Sequence, residues 1–226
     1  AGKIYIAAIA KAKELEQQML QELADLQNMQ SGSLKIGGSH FLNAYILPCV
    51  LAEFAARYPK IKVELLEGSS AQVLGELADR ELDIAFSCDS AVIDSFPHER
   101  GFNDIILLAV NEKCAVNKQL AKNALTAEDI KKGRHLDDAC PSTKLEWFGD
   151  IDFILLTQGN NLYERSLAML AQAGVRPAIK MQVSQLVTAY HLVEQFPAAA
   201  FISSRLVTHT DTLLKFYKLA YPEAMR

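Results

Sequence analysis

The chain has 226 residues, of which half are hydrophobic and 22% are charged, and its formal net charge is −4. This composition is that of a globular protein and excludes an intrinsically disordered chain. The length can bury one large core or the cores of two small lobes. The acidic balance argues against direct binding of nucleic acid by this stretch. Charges interrupt every apolar run before it could span a membrane, so we expect no membrane contact.

The cysteines are widely spaced, without a CxxC pair or a Cys/His cluster of zinc-binding type. They are Cys49, Cys88, Cys114 and Cys140. This pattern is typical of reduced thiols in the cytosol, so we expect a cytoplasmic protein without a bound metal. The apolar residues at 4–10 are too few for a signal peptide, and Lys11, Lys13 and Glu14 follow them closely.

A long helix is predicted over residues 3–30, which contain neither proline nor glycine. Apolar residues recur there at the three-and-four spacing of a coiled coil, with Glu22 as the polar exception. They are Tyr5, Ala8, Ala12, Leu15, Met19, Leu26 and Met29. The helix could pack on its own domain or pair with a second subunit. Ser-Gly-Ser at 31–33 favours the second alternative, because it separates the helix from the rest of the chain. We predict a dimerising linker over residues 1–31.

An alternation of strands and helices comes next, as in α/β domains. Strands are predicted in the first half at residues 34–36, 61–65 and 83–86, with helices at 43–58 and 71–80. Strands are predicted in the second half at residues 105–110, 153–156, 178–183, 198–202 and 213–220. The helices of the second half are predicted to begin at Thr126, near Asn161 and at Ser184, with Thr126 and Ser184 as N-caps.

The same order of strand, polar turn and helix thus occurs in both halves, which the chain connects near residues 87–104 and again near 205–215. We therefore predict a two-lobed α/β architecture. Lobe I is assigned to residues 32–88 and 208–226, and lobe II to residues 89–207.

Small polar residues follow several of the predicted strands. In open α/β sheets, ligands bind beyond the carboxyl ends of the strands, where glycines admit a ligand and the free N–H groups of helix starts favour anions. Such turns lie at residues 37–40, 68–70, 87–88, 157–161 and 201–204. Helix capping explains any one of these turns equally well. Several of them, drawn from two lobes, indicate a ligand-binding cleft.

Single residues carry less specific signals. His40 could contact a ligand or sense pH, but it could also be merely solvated. Cys88 directly follows a strand and could line a cleft or react as a thiol, although a spectator role is simpler. Cys49 lies beside the apolar stripe of the first helix and is expected in the core. Trp147 is expected to pack rather than to stack on a ligand.

Motifs of the common enzyme classes are absent. The sequence contains no Walker A loop, no GxSxG elbow, no HExxH pair and no protein-kinase set. The five histidines are scattered, and Asp137 and Asp138 lie in a polar loop. We therefore predict that the chain is not an enzyme and needs no cofactor.

Residues 32–86 resemble the start of the effector-binding domain of LysR-type transcription regulators. The family pattern has Gly-x-Leu-x-Ile-Gly, Phe-x-x-x-Tyr-Pro, Glu-Gly and Leu-x-x-Gly-Glu-Leu-Asp-Leu-Ala. These motifs correspond here to residues 32–37, 54–59, 67–68 and 77–85. Arg80 replaces the frequent glycine of the last motif. The resemblance is looser in the second half, where it includes the strand at 105–110.

The resemblance implies a two-lobed fold like that of type 2 periplasmic-binding proteins, with a small-molecule effector in the interlobe cleft that we expect to be anionic. By position, the family's contacts fall on Ser39, His40, Gly68, Ser69, Ser87, Thr157, Gln158 and Asn160. Ser203 is a further candidate, although residues 196–203 lack the glycines and the later proline of the family's Gly-x-Gly-Ile-Ala-x-x-Pro segment.

The resemblance also implies how the chain acts. In the family, the linker helix pairs subunits into a homodimer or homotetramer and joins the sensor to an N-terminal winged helix-turn-helix that binds DNA. The chain begins at Ala1 rather than at a methionine, and the family usually continues with a strand and a helix of lobe I, so we expect a fragment. The cysteines do not match the close pair of the peroxide-sensing branch.

Two other functions are compatible with a fold of this kind. A solute-binding receptor of a transporter should carry a signal peptide and usually lacks four free thiols. A small metabolic enzyme should show a convergent catalytic set of residues. The predicted linker at 1–31 favours the regulator, since fold alone does not determine function.

Overall fold

The computed structural model describes residues 32–88 and 95–225, together with Lys13 and Met19. The predicted linker of residues 1–31 therefore lies outside the described residues, apart from those two positions. The chain forms two compact units, Ala1–Phe86 and Ser87–Arg226, which we call unit 1 and unit 2. No helix in the described parts of the chain is long and apolar enough to cross a membrane.

Unit 1 contains a parallel sheet in the order β2-β1-β3. Its strands are β1 (Gly32–Gly38), β2 (Ile61–Glu67) and β3 (Ile84–Ala85), and its α-helices are α1 (Leu47–Arg57) and α2 (Ser70–Ala78). A Cβ at Gly37 would lie 2.7 Å from Val73 of α2, whereas one at Gly38 would lie 2.7 Å from Asn43. Because successive strand residues face opposite sides, helical segments cover both faces of β1 at close range.

The helix predicted at residues 43–58 is divided. A π-helical turn at Leu42–Ile46 precedes α1, and Pro48 lies in the first turn of α1. Proline has no N–H for a bond to the preceding turn, so a regular helix cannot run through it but can start at it. The expectation that Cys49 is a core residue is wrong, because its side chain is exposed. Leu47 supplies the fully buried position of α1 instead.

Unit 2 contains a mixed sheet in the order β6-β5-β7-β4-β8. Its strands are β4 (Ile106–Asn111), β5 (Asp152–Leu156), β6 (Ile179–Val183), β7 (Ala198–Ser203) and β8 (Leu214–Lys218). Its α-helices are α3 (Val116–Gln119), α4 (Ala127–Lys131), α5 (Asn161–Gln172) and α6 (Leu186–Gln195). Strands β5, β6 and β7 are parallel, and β4 runs antiparallel to β7 and β8. Every residue of β4 and β7 is buried, so these two strands form the centre of the core.

The assignment of residues 208–226 to lobe I is wrong. Strand β8 pairs with β4, with Leu108 opposite Tyr217, and this whole segment belongs to unit 2. The side chain of Tyr217 is fully buried there. The physical reason is that β8 covers the second edge of β4, whose polar backbone groups would otherwise lack partners in the core. An isolated antiparallel bridge also joins Ile105 to Met225.

The predicted helix caps have different outcomes. Thr126 is the N-cap of α4 as predicted, and its Oγ1 accepts a hydrogen bond from the N–H of Asp129 at 3.1 Å. Gly174 ends α5 with a φ of +65°, a conformation that suits glycine. Ser184 is not the cap of α6, because Gln185 occupies that position without a side-chain hydrogen bond.

Candidate functional site

Four predicted site residues of unit 1 lie at one edge of its sheet. Ser39 and His40 follow β1, and Gly68 and Ser69 follow β2. Because β1 and β2 are parallel neighbours, their carboxyl ends meet at the same edge. The N–H of Gly68 donates to the carbonyl oxygen of Gly38 at 3.2 Å, which ties the two turns together. We call these four residues the unit 1 edge.

His40 has a charged partner at the unit 1 edge. Its Nδ1 lies 2.9 Å from Oε2 of Glu67, the last residue of β2. Both side chains are partly exposed, so the pair contributes at most about 1 kcal/mol to stability. The simple alternative of a merely solvated His40 is therefore incomplete. Glu67 was not predicted as a site residue, although its place opposite Gly38 at a strand end is the signal that could have found it.

The two serines of the unit 1 edge act as helix caps. Oγ of Ser69 accepts a hydrogen bond from the N–H of Gln72 at 3.3 Å, and the N–H of Ser69 donates to Oε1 of Gln72 at 3.0 Å. Oγ of Ser39 accepts from the N–H of Leu42 at 3.5 Å. The capping alternative thus holds for both serines, and each hydroxyl keeps a further lone pair for another donor.

Asn43 is a further polar residue near this edge that the sequence did not single out as a site residue. Its Nδ2 donates to the carbonyl oxygen of Leu66 at 2.9 Å and joins the π-helical turn to β2. Its Oδ1 is buried without a hydrogen-bond partner among the described residues. A buried acceptor of this kind costs about 1–3 kcal/mol when it stays unpaired.

The predicted site residues of unit 2 also share a sheet edge. Thr157, Gln158 and Asn160 follow β5, and Ser203 ends β7, the parallel neighbour of β5. Thr157 and Gln158 are exposed, whereas Asn160 caps α5 by accepting the N–H of Leu162 at 3.0 Å. We call Thr157, Gln158, Asn160 and Ser203 the unit 2 edge.

Ser203 lies at the predicted edge, but its hydroxyl is enclosed. The residue is 0% exposed, and its Oγ donates to Oδ1 of Asp104 at 2.7 Å. The same Oγ accepts the N–H of Arg205 at 3.1 Å. Its only hydroxyl hydrogen is therefore used inside the unit, which makes Ser203 a supporting residue of this edge.

Ser87 and Cys88 follow Phe86, whose N–H donates to the carbonyl oxygen of Gly37 at 2.8 Å. Ser87 is half-buried and is the first residue of unit 2. Cys88 is a half-buried free thiol. The parts of the chain that the structure describes contain no cluster of histidine, cysteine and acidic residues that could hold a metal ion.

Arg205 is a charged residue beside the unit 2 edge that the sequence did not single out. Its guanidinium lies over the ring of Phe102, 4.7 Å from the centroid, and its Nη2 donates to the carbonyl oxygen of Asn103 at 3.2 Å. The only sequence signal was its position three residues after the end of the strand predicted at 198–202.

Comparison with known proteins supports the resemblance seen in the sequence. Residues 27–220 match the family model described as the LysR substrate binding domain. A relative from Phaeodactylum tricornutum (strain CCAP 1055/1), named "Probable RuBisCO transcriptional regulator", is 36% identical over 186 residues, or 81% of this chain. The chain spans less than two thirds of the length of the curated relatives that it matches first, and 58% in this case.

Solved structures share the fold at low sequence identity. The C-terminal domain of a probable LysR family transcriptional regulator from Rhodococcus sp. RHA1 superposes with a TM-score of 0.67 at 16% identity and covers 86% of both chains. The effector-binding domain of QuiR in complex with shikimate gives a TM-score of 0.63 at 15% identity and covers 87% of this chain and 84% of its own. The α/β fold is thus that of LysR effector-binding domains. Since the family model spans most of the sequence, the chain belongs to the LysR substrate-binding domain family.

Proposed function

We propose that this chain is the effector-sensing domain of a transcription regulator that binds DNA. The observation that carries the proposal is the match of residues 27–220 to the LysR substrate binding domain. The name of the Phaeodactylum tricornutum relative supports the same function. The domain binds a small molecule without converting it, and a winged helix-turn-helix ahead of the linker contacts the DNA. The regulator works in the cytoplasm and contacts no membrane.

The proposed effector-binding residues are those of the unit 1 edge, Ser87, and Thr157, Gln158 and Asn160 of the unit 2 edge, while the buried Ser203 supports that edge. Glycines, capping hydroxyls and helix starts at strand ends suit a small polar ligand, and free N–H groups there favour an anion. QuiR was solved with shikimate, a carboxylate. We therefore propose a small carboxylate as the effector of this chain.

Ligand-induced stabilisation tests the proposal directly. A ligand that binds the native state at a hundred times its Kd stabilises it by about 2.7 kcal/mol. The melting temperature is measured with shikimate, benzoate and succinate, each compared with its primary amide, and with amino acids. We expect at least one carboxylate to raise it. If no compound of any class stabilises the protein, the sensing function is contradicted.

Substitutions at the two edges locate the binding site. We expect Ser39→Ala and Thr157→Ala to weaken binding of the stabilising compound by about tenfold, the equivalent of one lost hydrogen bond. Thr210→Ala is the matched control, because this exposed threonine precedes β8, at the opposite end of the unit 2 sheet. Unchanged affinity in both edge variants, measured by calorimetry, would contradict the proposed site.

We further propose a homodimer, or a homotetramer built from it. Both sheets leave an edge strand with an exposed apolar residue, Leu65 on β2 and Ile179 on β6. Val50 on α1 and Leu167 on α5 are exposed as well, so each unit carries further apolar side chains that an interface would cover. Uncovered edge strands with apolar side chains favour association, and a second copy of the chain supplies matching surfaces.

A further inference from the structure

Arg205 is oriented by three contacts within unit 2. Its guanidinium lies over the ring of Phe102, its Nη2 donates to the carbonyl oxygen of Asn103, and its backbone N–H donates to Oγ of Ser203. Arginine stacks on aromatic faces and keeps further N–H donors in the guanidinium plane for a planar anion. Because the side chain is already oriented, less conformational entropy is lost when it binds a ligand.

The strand order places the end of β7, which Arg205 follows, next to the residues of the unit 2 edge. Strand β7 lies between β5 and β4, so the end of β7 has Thr157 and Gln158 on one side and the start of β4 on the other. Ile106 of β4 is opposite Ser203, and the N–H of Ser204 donates to the carbonyl oxygen of Ile105 at 2.8 Å. This pairing fixes the backbone from which Arg205 extends.

The charge of Arg205 is available at the surface. Its side chain is exposed and takes part in none of the ion pairs formed by the described residues. Asp104 is the nearby acid, but it is 3% exposed and receives the hydroxyl of Ser203. The carboxylate of Asp104 thus anchors the turn from the buried side, while the guanidinium lies on the exposed side.

We propose that Arg205 binds the carboxylate group of the effector and so selects acids over neutral molecules. The proposal rests on the function proposed above. It names Arg205 as the residue that makes carboxylic acids the chemical class of the effector. Arg205 replaces Ser203 as the contact at the end of β7. Ser203 and Asp104 are positioning residues, because they act through the backbone N–H of Arg205.

The test compares acids with their neutral analogues. Shikimate, benzoate and succinate, each with its primary amide, are titrated into the wild type, Arg205→Gln and Arg205→Lys. For each acid that the wild type binds in preference to its amide, we expect Arg205→Gln to lose about tenfold or more in affinity and the preference itself. Arg205→Lys should keep part of the preference, because it keeps the charge without the planar fork.

Arg176→Gln is the matched control, since Arg176 is an exposed arginine between α5 and β6, ahead of the opposite end of the parallel strands. NMR of the arginine Nε–Hε groups gives an independent measurement, because the Arg205 signal is assigned by its loss in Arg205→Gln and should shift when the acid binds.

The outcomes separate this inference from the proposed function. If Arg205→Gln binds the acids as tightly as the wild type, or if only neutral compounds bind, Arg205 is not the carboxylate contact and the sensing function still stands. If no compound binds the wild type, both proposals fail. Melting temperatures of the free variants that match the wild type show that the substitutions act on binding rather than on folding.

Discussion

His135 is a buried histidine in the short 3-10 turn Arg134–Leu136 that comes after α4. It is 5% exposed, and its Nδ1 has no hydrogen-bond partner among the described residues. Burial lowers the pKa of His135 below its ordinary value of 6.5, and the charge of Lys218 lowers it further, whereas Asp104 raises it. The imidazole is therefore neutral in the folded protein at neutral pH.

This state makes stability depend on pH. His135 takes up a proton near pH 6.5 in the unfolded chain but only at lower pH in the folded chain. The stability that the neutral His135 gives the folded state is therefore complete above pH 6.5 and declines as the pH falls below it. The decline is at most about 1.4 kcal/mol per pH unit for one group. We expect His135→Gln to lose less stability between about pH 7 and about pH 5.5 than the wild type, measured by urea unfolding.

His98→Gln is the control for this prediction, because His98 is exposed. It should show the same pH dependence as the wild type. An equal loss of stability with pH in His135→Gln and the wild type would contradict the role of His135.

Thr126 shows what a single cap contributes. Its Oγ1 accepts the N–H of Asp129, and its own N–H and hydroxyl donate to Oδ2 of Asp129. The two bonds donated to the carboxylate lower the pKa of the Asp129 carboxyl. We expect Thr126→Ala to destabilise unit 2 by about 1 kcal/mol, and Thr126→Ser to restore most of that loss. The measurement is the midpoint of urea unfolding. A Thr126→Ala variant as stable as the wild type would show that the cap is dispensable.

At the level of elements, Arg165 connects α5 to the segment 223–225. Its Nε donates to Oδ1 of Asn161, and its Nη1 donates to the carbonyl oxygens of Glu223 and Met225, each at 3.0 Å. In Arg165→Gln the partly buried carbonyl of Glu223 and the exposed carbonyl of Met225 lose this donor, so we expect a loss of stability of about 1–3 kcal/mol. Hydrogen exchange at the N–H of Met225, which donates to the carbonyl oxygen of Pro222, should become faster.

Arg176→Gln provides the comparison, because this arginine lies exposed beyond the end of α5. It should leave the exchange at Met225 unchanged. Equal exchange rates in Arg165→Gln and the wild type would mean that other contacts hold the segment.

The elements themselves could largely be predicted from the sequence. Apolar runs and alternating patterns give every strand to within a few residues, because a central strand such as β4 is buried along its whole length and is therefore apolar except at its last residue, Asn111. Periodicity could not predict the division of the helix expected at residues 43–58, because Pro48 fits both a kinked helix and a helix start. Ser184 fitted the cap preference, yet the helix starts one residue later, since tertiary packing outweighs such local signals.

At the level of the whole molecule, the unit 1 edge and the unit 2 edge could be predicted from where the strands end in the sequence. The contacts of their side chains could not. Alternation predicts a strand near 213–220 without naming the sheet that it joins, so β8 was assigned to the wrong lobe. The bond between Ser203 and Asp104 joins residues 99 positions apart. Only the antiparallel pairing of β4 with β7 brings them together, and with them Arg205.

The proposed dimer is tested at the same scale. Val50 is 60% exposed and Ile179 is 51% exposed, so a charge at either position is tolerated in an isolated chain but not in an apolar interface. We expect Val50→Glu and Ile179→Glu to lower the mass measured by light scattering toward that of one chain. Leu136→Glu is the control at another exposed apolar residue and should not change the mass. If Val50→Glu and Ile179→Glu keep the mass of a dimer, these surfaces are excluded as the interface.

The bridge between Ile105 and Met225 has a consequence for protein engineering. It places two residues 120 positions apart within about 5.5 Å, the spacing of neighbouring antiparallel strands. The two ends of the stretch between them are therefore neighbours in space, and this stretch has its own core. Joining these points with a short linker and opening the chain at an exposed turn such as Gly159 would give a circular permutant of unit 2 that keeps every strand pairing.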